Sequence, residues 1–376
     1  MSAAQWLLVA GDVRPSGGMD IANHALASYL ARQPSTLHLV THAATAELVS
    51  ASNVRVHRVP RPFGAHRLGF PLLRAAARRI HRRLGRNTRA VANGGNADLG
   101  DVTWVHYVHA AYSSVASHGG RGFSNWAHQR HVRDERAAFG RAASIVCNSR
   151  RTADDVVRAA GVSPSRVRVV YYGSDSVRFG PVSPEERDAA RRMLDQSTDR
   201  PLALFAGALG DRRKNFDTLF DAWRTLCADR DWDVDLIVAG DGVELPKWQA
   251  RAAASLATSQ IRFLGRRHDV PTLLAASDLL IHPSRYEPYG LIVHEAMCRG
   301  VPALVSADAG VAERYPASLR SLLIDDRDSA AELVRRVSDW RSSSLPRQLL
   351  DAAAREFRAR TWDDMARDLI AAIGTT

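Results

Sequence analysis

Lysine is nearly missing from this chain: only Lys214 and Lys247 occur, beside 49 arginines in 376 residues. A lysine in a loop therefore stands out. Cysteine is almost as scarce, and Cys147, Cys227 and Cys298 lie far apart without the spacing of metal ligands. That excludes a disulfide framework and a structural zinc site and leaves reduced, mostly buried thiols as the expectation. Long apolar runs are absent too. The longest near the start, Trp6 to Ala10, is too short for a signal peptide or a membrane span, so a cytoplasmic location is expected. Neither a short-period repeat nor a low-complexity tail occurs, which argues against a solenoid. Acidic residues are lacking from Leu48 to Ala97, a stretch that holds Arg74, Arg78, Arg79, Arg82, Arg83, Arg86 and Arg89.

What is present describes an ordinary globular protein, 45% apolar and 24% charged, and long enough that two domains are the default. Charge divides the chain. Residues 1 to 180 carry 24 arginines against 10 acids, whereas residues 181 to 376 carry 27 basic and 30 acidic groups. Phe70 to Leu84 can form a helix with Leu72, Leu73, Ala76, Ile80 and Leu84 on or near one stripe and arginines around the rest. Such a helix suits an anionic membrane surface, reached through Phe70 to Arg89 on the inner face of the cell membrane. It equally suits a surface helix that packs its leucines inward.

Strand and helix patterns alternate along the chain. Strands read at Trp6 to Ala10, Leu37 to Ala43, Val54 to Val59, Val102 to Val108, Ser144 to Asn148 and Val167 to Tyr172. After an irregular stretch, GSDSVRFGPVSPEE, a second series reads at Leu202 to Ala206, Asp235 to Ala239, Ile261 to Leu264, Leu279 to His282, Ala303 to Ser306 and Leu322 to Ile324. Repeated βα units imply parallel sheets covered on both faces, so the expectation is α/β, with two Rossmann-like doubly wound domains at 1–180 and 181–376 facing across a cleft.

The segment SRYEPYGLIVHEAMCRGVPALVS concentrates chemistry at the end of one of those strands. Ser284 to Gly290 reads as a loop, Leu291 to Arg299 as a helix, and Gly300 as its stop. Backbone N–H groups of Tyr289, Gly290, Leu291 and Ile292 at the helix start suit a phosphate or a sugar hydroxyl. Glu287 precedes that start and Glu295 lies one to two turns in, so both carboxylates can face the ligand crevice. Two glutamates at this spacing on a helix are also common as a solvated face.

The E-x7-E spacing within EPYGLIVHE, followed by EAMCRGVPALVS, resembles the signature of the retaining nucleotide-sugar glycosyltransferases of glycosyltransferase family 4, which have the GT-B fold. The resemblance implies that Glu287 lies beside the transferred sugar and that Glu295 binds the ribose of the donor nucleotide. It also implies that the last helix crosses back to the first domain. In FAGALGDRRKNFDTLFDAW the family has Gly-Arg-Leu, a loop and Lys-Gly, its arginine and lysine gripping the donor diphosphate. Here Lys214 keeps its place, Ala208 stands for the arginine and Asn215 for the glycine, so Arg212 or Arg213 is the candidate replacement charge. Asn215 is also the expected helix cap.

Other positions follow the same resemblance. Gly17 and Gly18, after the first strand, match the family's glycine-rich loop beside the diphosphate and the acceptor, with Asp20 at the helix start. In TWVHYVHAAY, at the carboxyl end of a strand, His106 and His109 point to opposite faces unless the strand ends between them. His109, nearer the strand end, is the candidate beside acceptor and sugar. Ser149 reads as a helix N-cap. Gly310 and Glu313 match the family's next turn, and Gly265 and Arg266 lie where its nucleotide base docks.

The function expected is therefore retaining transfer of a hexose-like sugar from a nucleoside diphosphate to a hydroxyl, with a lipid-linked or surface-polysaccharide glycan as the leading acceptor and a soluble small molecule as the alternative. Front-face attack and a covalent intermediate both remain open. No Asp-x-Asp pair sits where a metal would hold the diphosphate, so neither a metal nor another cofactor is expected. An epimerase or phosphorylase of the same fold is the rival enzyme. A nucleic-acid binder, prompted by the net charge of +11, lacks any accompanying recognition motif and is not expected.

Overall fold

The computed structural model describes residues 5–85, 87–116, 123–255, 259–343 and 345–374; Arg86 of the basic stretch lies outside them. The chain divides into two compact units, residues 1–173 with 361–376 and residues 174–360. The division therefore falls at Gly173/Ser174 rather than after residue 180, because Phe179 already packs into the second unit's core.

Unit 1 runs β1 (Gln5–Val9), β2 (Asp12–Val13), α1 (Gly18–Ala31), β3 (Thr36–Thr41), β4 (Ala43–Ala44), α2 (Ala46–Ser50), β5 (Val54–Arg58), α3 (His66–Leu84) and β6 (Thr88–Asn93). It continues through β7 (Val102–Val105), α4 (His109–Ala116), α5 (Phe123–Arg141), β8 (Ser144–Cys147), α6 (Arg150–Ala160) and β9 (Val167–Val169). Seven strands form a parallel sheet in the order β5-β3-β1-β6-β7-β8-β9. Burial on both faces explains the runs of Leu, Val and Ala in β1, β6 and β7.

Three expectations need correction here. The strand β6, whose sequence TRAVAN is too alanine-rich to read as one, pairs with β1 in register from Gln5 opposite Thr88. The strand read to Val108 stops at Val105, so His106 follows it and His109 opens α4. In α3, Leu73 and Ala77 are buried and Phe70, Ala76, Ile80 and Leu84 pack against the same cluster, so the apolar stripe faces the core. Leu72 lies off it and is 41% exposed.

Unit 2 comprises α7 (Pro184–Met193), β10 (Leu202–Ala206), α8 (Phe216–Leu226), β11 (Asp235–Ala239), α9 (Leu245–Ala253), β12 (Ile261–Gly265), α10 (Val270–Ala276) and β13 (Leu279–His282). Then follow α11 (Leu291–Cys298), β14 (Ala303–Ser306), β15 (Leu323–Ile324), α12 (Ala330–Ser342) and α13 (Arg347–Ala359). Its parallel sheet has the order β12-β11-β10-β13-β14-β15. Arg191, 1% exposed, ties α7 to the sheet edge by donating to Ala276 O, Ser197 O, Arg200 O and the Asp278 carboxylate. Finally α14 (Trp362–Gly374) returns to unit 1, where it packs on α1 and Asp363 pairs with Arg32 at 2.5 Å.

In both sheets the order reverses beside the first strand of the series, between β1 and β6 and between β10 and β13. Chains diverging from such a point leave a crevice at the strands' carboxyl ends. Around the second one the backbones close tightly: a Cβ placed on Gly240, after β11, would lie 1.9 Å from Gly207 O, after β10. Gly240→Ala should accordingly lower stability by about 1–3 kcal/mol or more, since a backbone carbonyl cannot move aside. Denaturant unfolding checks this, and an unshifted midpoint contradicts it.

Candidate functional site

At the crevice of unit 2, the loop after β10 meets the loop after β13, and two side chains clamp them together. Asn215 sits at φ +58°, a left-handed conformation that glycine adopts freely and asparagine tolerates, which accounts for asparagine where the family has glycine. Asn215 is the N-cap residue of α8 as expected, but its amide nitrogen donates to Pro283 O at 2.9 Å and Arg327 O at 2.6 Å, so its side chain staples loops and makes no cap hydrogen bond. Arg285, which sequence reasoning missed, donates its N–H to Arg213 O at 2.7 Å and its guanidinium to Asp217 and Thr218.

This clamping brings Lys214 against Glu287, with Nζ 2.8 Å from Oε2. His282 donates from Nε2 to the same oxygen at 2.8 Å, and Ser284 Oγ lies 3.0 Å from that nitrogen. Burial alone would raise the pKa of Glu287, but the Lys214 charge, helped by His282, holds the carboxyl far below the usual range. It is a fixed carboxylate whose Oε1 has no protein donor among the described residues. Gly290, at φ +104°, turns the chain into α11, and a side chain there would press on Val311 and the Glu287 stem. Gly310 N–H and Val311 N–H donate to Glu287 O and Tyr289 O, at 3.1 and 2.7 Å, and brace the loop from the next turn.

Within α11, the N–H groups of Leu291 and Ile292 find no protein acceptor among the described residues, leaving a positive first turn. The phenol of Tyr289 is buried against His294 Nδ1 at 2.6 Å, so only its backbone belongs to the loop's outer side. Glu295 stands apart from the Lys214 network. Its carboxyl is buried without a hydrogen bond or ion pair among the described residues, and burial, weakly opposed by Arg178, pushes it up to about 8. Arg213 forks onto Asp211 at 2.5 and 2.9 Å, and Arg266 is an exposed side chain at the end of β12, 3.5 Å from Asp241. Neither joins the Lys214–Glu287 group.

In unit 1 a cavity of about 420 Å³ opens at the corresponding crevice, between the ends of β1, β6 and β7. Gly17 and Gly18 begin α1 in ordinary backbone conformations, and it is Met19 and Asp20, next along, that line the cavity. Asp20 accepts from Ser16 Oγ at 2.9 Å, and burial raises its pKa. His109 is locked: its N–H donates to Glu135 Oε2 at 2.8 Å, its Nδ1 lies 2.6 Å from Oε1, and the His131 ring stacks on it at 4.9 Å. His131 is pulled down to about 4 by burial and by the neighbouring His109. Glu135 and Asn93, both wall residues, were missed, the first within an arginine-rich helix that reads as solvated and the second on the unread strand.

The family model described as "Glycosyltransferase Family 4" matches residues 16–178, and that described as "Glycosyl transferases group 1" matches residues 186–357. The chain belongs to glycosyltransferase family 4. A D-inositol 3-phosphate glycosyltransferase of Salinispora tropica is 31% identical over 64% of this chain and 52% of its own length. The chain thus spans about half the length of the curated relatives it matches. Among solved structures, WaaG, a glycosyltransferase involved in lipopolysaccharide biosynthesis, aligns over 99% of this chain and all of its own with TM-score 0.74 and 20% identity. Anabaena HepE, solved with UDP-glucose, aligns over 99% and 100% with TM-score 0.71 and 18% identity. These likenesses give the family 4 chain its fold, GT-B.

The lone buried carboxyl has a thermodynamic consequence. Because the fold raises Glu295 from 4.5 to about 8, its stabilising contribution is complete below about pH 4.5 and disappears as pH rises through 8. Glu295→Gln should therefore be more stable than the parent at pH 9, on the order of a few kcal/mol, and no more stable at pH 4. Melting temperatures across that range decide the matter.

Proposed function

We propose that this family 4 chain moves a sugar from a nucleoside diphosphate to an acceptor hydroxyl, with retention at the sugar carbon. The observation that carries the reading is the Lys214–Glu287 pair beside the open first turn of α11. An anion arriving at that turn meets two free N–H donors and a lysine whose present partner is a carboxylate. Lys214 exchanges Glu287 for the diphosphate and steadies the charge left when the glycosidic bond breaks. Glu287, still held by His282 through Oε2, turns Oε1 toward the positive charge growing on the sugar ring. Glu295, partly protonated near neutral pH, both donates to and accepts from a vicinal diol on the ribose. Arg213 adds charge only if it leaves Asp211, and Arg266 borders the base.

The acceptor belongs to unit 1, with Gly17, Gly18 and His109 at its edge. The Salinispora relative is named for D-inositol 3-phosphate, a small polyhydroxylated molecule. A cavity of about 420 Å³ is of the size that holds one, which favours a small soluble acceptor. The reading of α3 as a membrane-binding helix loses its apolar half, because that stripe is buried. A lipid-linked acceptor keeps one supporting observation: Phe63, Leu68 and Leu72 are exposed, at 98%, 49% and 41%, beside the arginines of the same region. Binding to anionic liposomes at low ionic strength separates the two acceptor classes.

Incubation with a panel of nucleoside-diphosphate sugars should give thermal stabilisation by one of them and nucleotide release on acceptor addition. Donor-only interconversion of the sugar would instead establish an epimerase. Glu287→Ala and Lys214→Ala should each lower transfer about 100-fold or more in folded protein. With α11 and Lys214 supplying the positive charge, a chelator should leave the rate unchanged; loss of activity restored by magnesium or manganese would overturn that part.

A further inference from the structure

Behind the unit 1 cavity runs a chain of hydrogen bonds whose direction can be worked out atom by atom. Thr152 Oγ1 donates to Asn148 Oδ1 at 2.8 Å, which fixes that amide so that its nitrogen donates, to His106 O at 3.0 Å and Tyr172 Oη at 3.1 Å. His106 Nδ1 lies against the Tyr172 hydroxyl and Nε2 faces Asn93 Oδ1, an acceptor, so the ring proton sits on Nε2 and Tyr172 donates to Nδ1. His106 is buried, and burial lowers it to about 3, so the ring is neutral and its single N–H is on Nε2. That N–H donates to Asn93 Oδ1 at 3.2 Å. The relay therefore ends by holding Asn93 Oδ1 against His106, which leaves Nδ2 without a partner among the described residues; Asn93 is 3% exposed and lines the cavity.

A second wall residue is incomplete in the complementary sense. Asp12 Oδ2 takes Arg61 at 2.9 Å, but Oδ1 is buried without a donor among the described residues. An unmet donor and an unmet acceptor on one cavity are what a hydroxyl group satisfies, since it can accept from one and donate to the other. Charge narrows the class further. The cavity's arginines, Arg74, Arg78 and Arg130, face Asp134 or Asp98, and the wall also carries Asp12, Asp20 and Glu135. The wall offers no surplus of positive charge.

We propose that this cavity takes an uncharged polyhydroxylated ring, a free sugar or cyclitol, with Asn93 donating to one of its oxygens and Asp12 accepting from one of its hydroxyls. The inference rests on unit 1 being the acceptor half, and it departs from the phosphorylated molecule for which the Salinispora relative is named. It makes Asn93 a specificity residue and Tyr172 and His106 positioning residues that hold its donor outward.

Calorimetric titration of the whole chain with free hexoses and inositols, with their monophosphates, and separately with UDP, GDP and ADP tests it. An uncharged polyol should bind, and Asn93→Asp, which replaces the donor by an acceptor of the same shape, should weaken that binding about ten-fold or more. Asp12→Asn should weaken it comparably, and Tyr172→Phe to a smaller degree by freeing the relay to reverse. All three should keep the parent's nucleotide affinity, which marks them as folded. Tighter binding of the phosphorylated molecules, undiminished polyol binding by both Asn93→Asp and Asp12→Asn, or binding of no polyol overturns the proposal. Polyol binding with no nucleotide bound would leave it standing and bring down the transferase reading instead.

Discussion

In each of the two large sheets the first strand is laid down in the interior, later strands are added on one side, and the next ones on the other. Everything chemical follows from that reversal. Between β10 and β13 the loops leaving neighbouring strands turn away to opposite faces, and the gap receives Lys214 from one and Glu287 from the other. Between β1 and β6 the same divergence opens the cavity bordered by Asp12 and Asn93. Parallel strands buried on both faces demand apolar sequence along their length, so polar residues collect at the carboxyl ends, where the backbone emerges.

The two carboxylates singled out by their spacing are held in opposite electrostatic states. Lys214 and His282 keep Glu287 ionised in a buried setting, whereas Glu295, one helical turn farther, has only the weak influence of Arg178 and stays largely protonated near neutrality. A common residue type thus yields a fixed negative charge beside the loop and a neutral hydrogen-bonding group within the helix. Burial is shared; the difference is a neighbouring cation.

The sequence displayed the unit 2 strands almost to their ends, because each is a short apolar run closed by glycine, proline or serine, and with them the α/β class and the GT-B fold. It did not display β6, whose alanines carry little strand preference, and with that strand went Asn93 and half of the unit 1 crevice. Lys214 and Glu287 could be picked out singly, but 73 positions separate them, and their contact depends on Asn215 and Arg285 stapling two loops. Arg285 is one arginine among 49, so nothing local distinguishes it. The relay through Tyr172, His106 and Asn93 joins three separate strand ends and has no spacing signature at all.

The passage of the chain from unit 1 to unit 2 at residue 173 and back at residue 361 bears on how the protein emerges during synthesis. Unit 1 cannot finish packing when residue 173 leaves the ribosome, since α14, which covers α1, follows residues 174–360 in the chain. Residues 174–360 can close their own core beforehand. Of these two units, the one begun first is therefore completed second, its strands waiting for a helix made after unit 2.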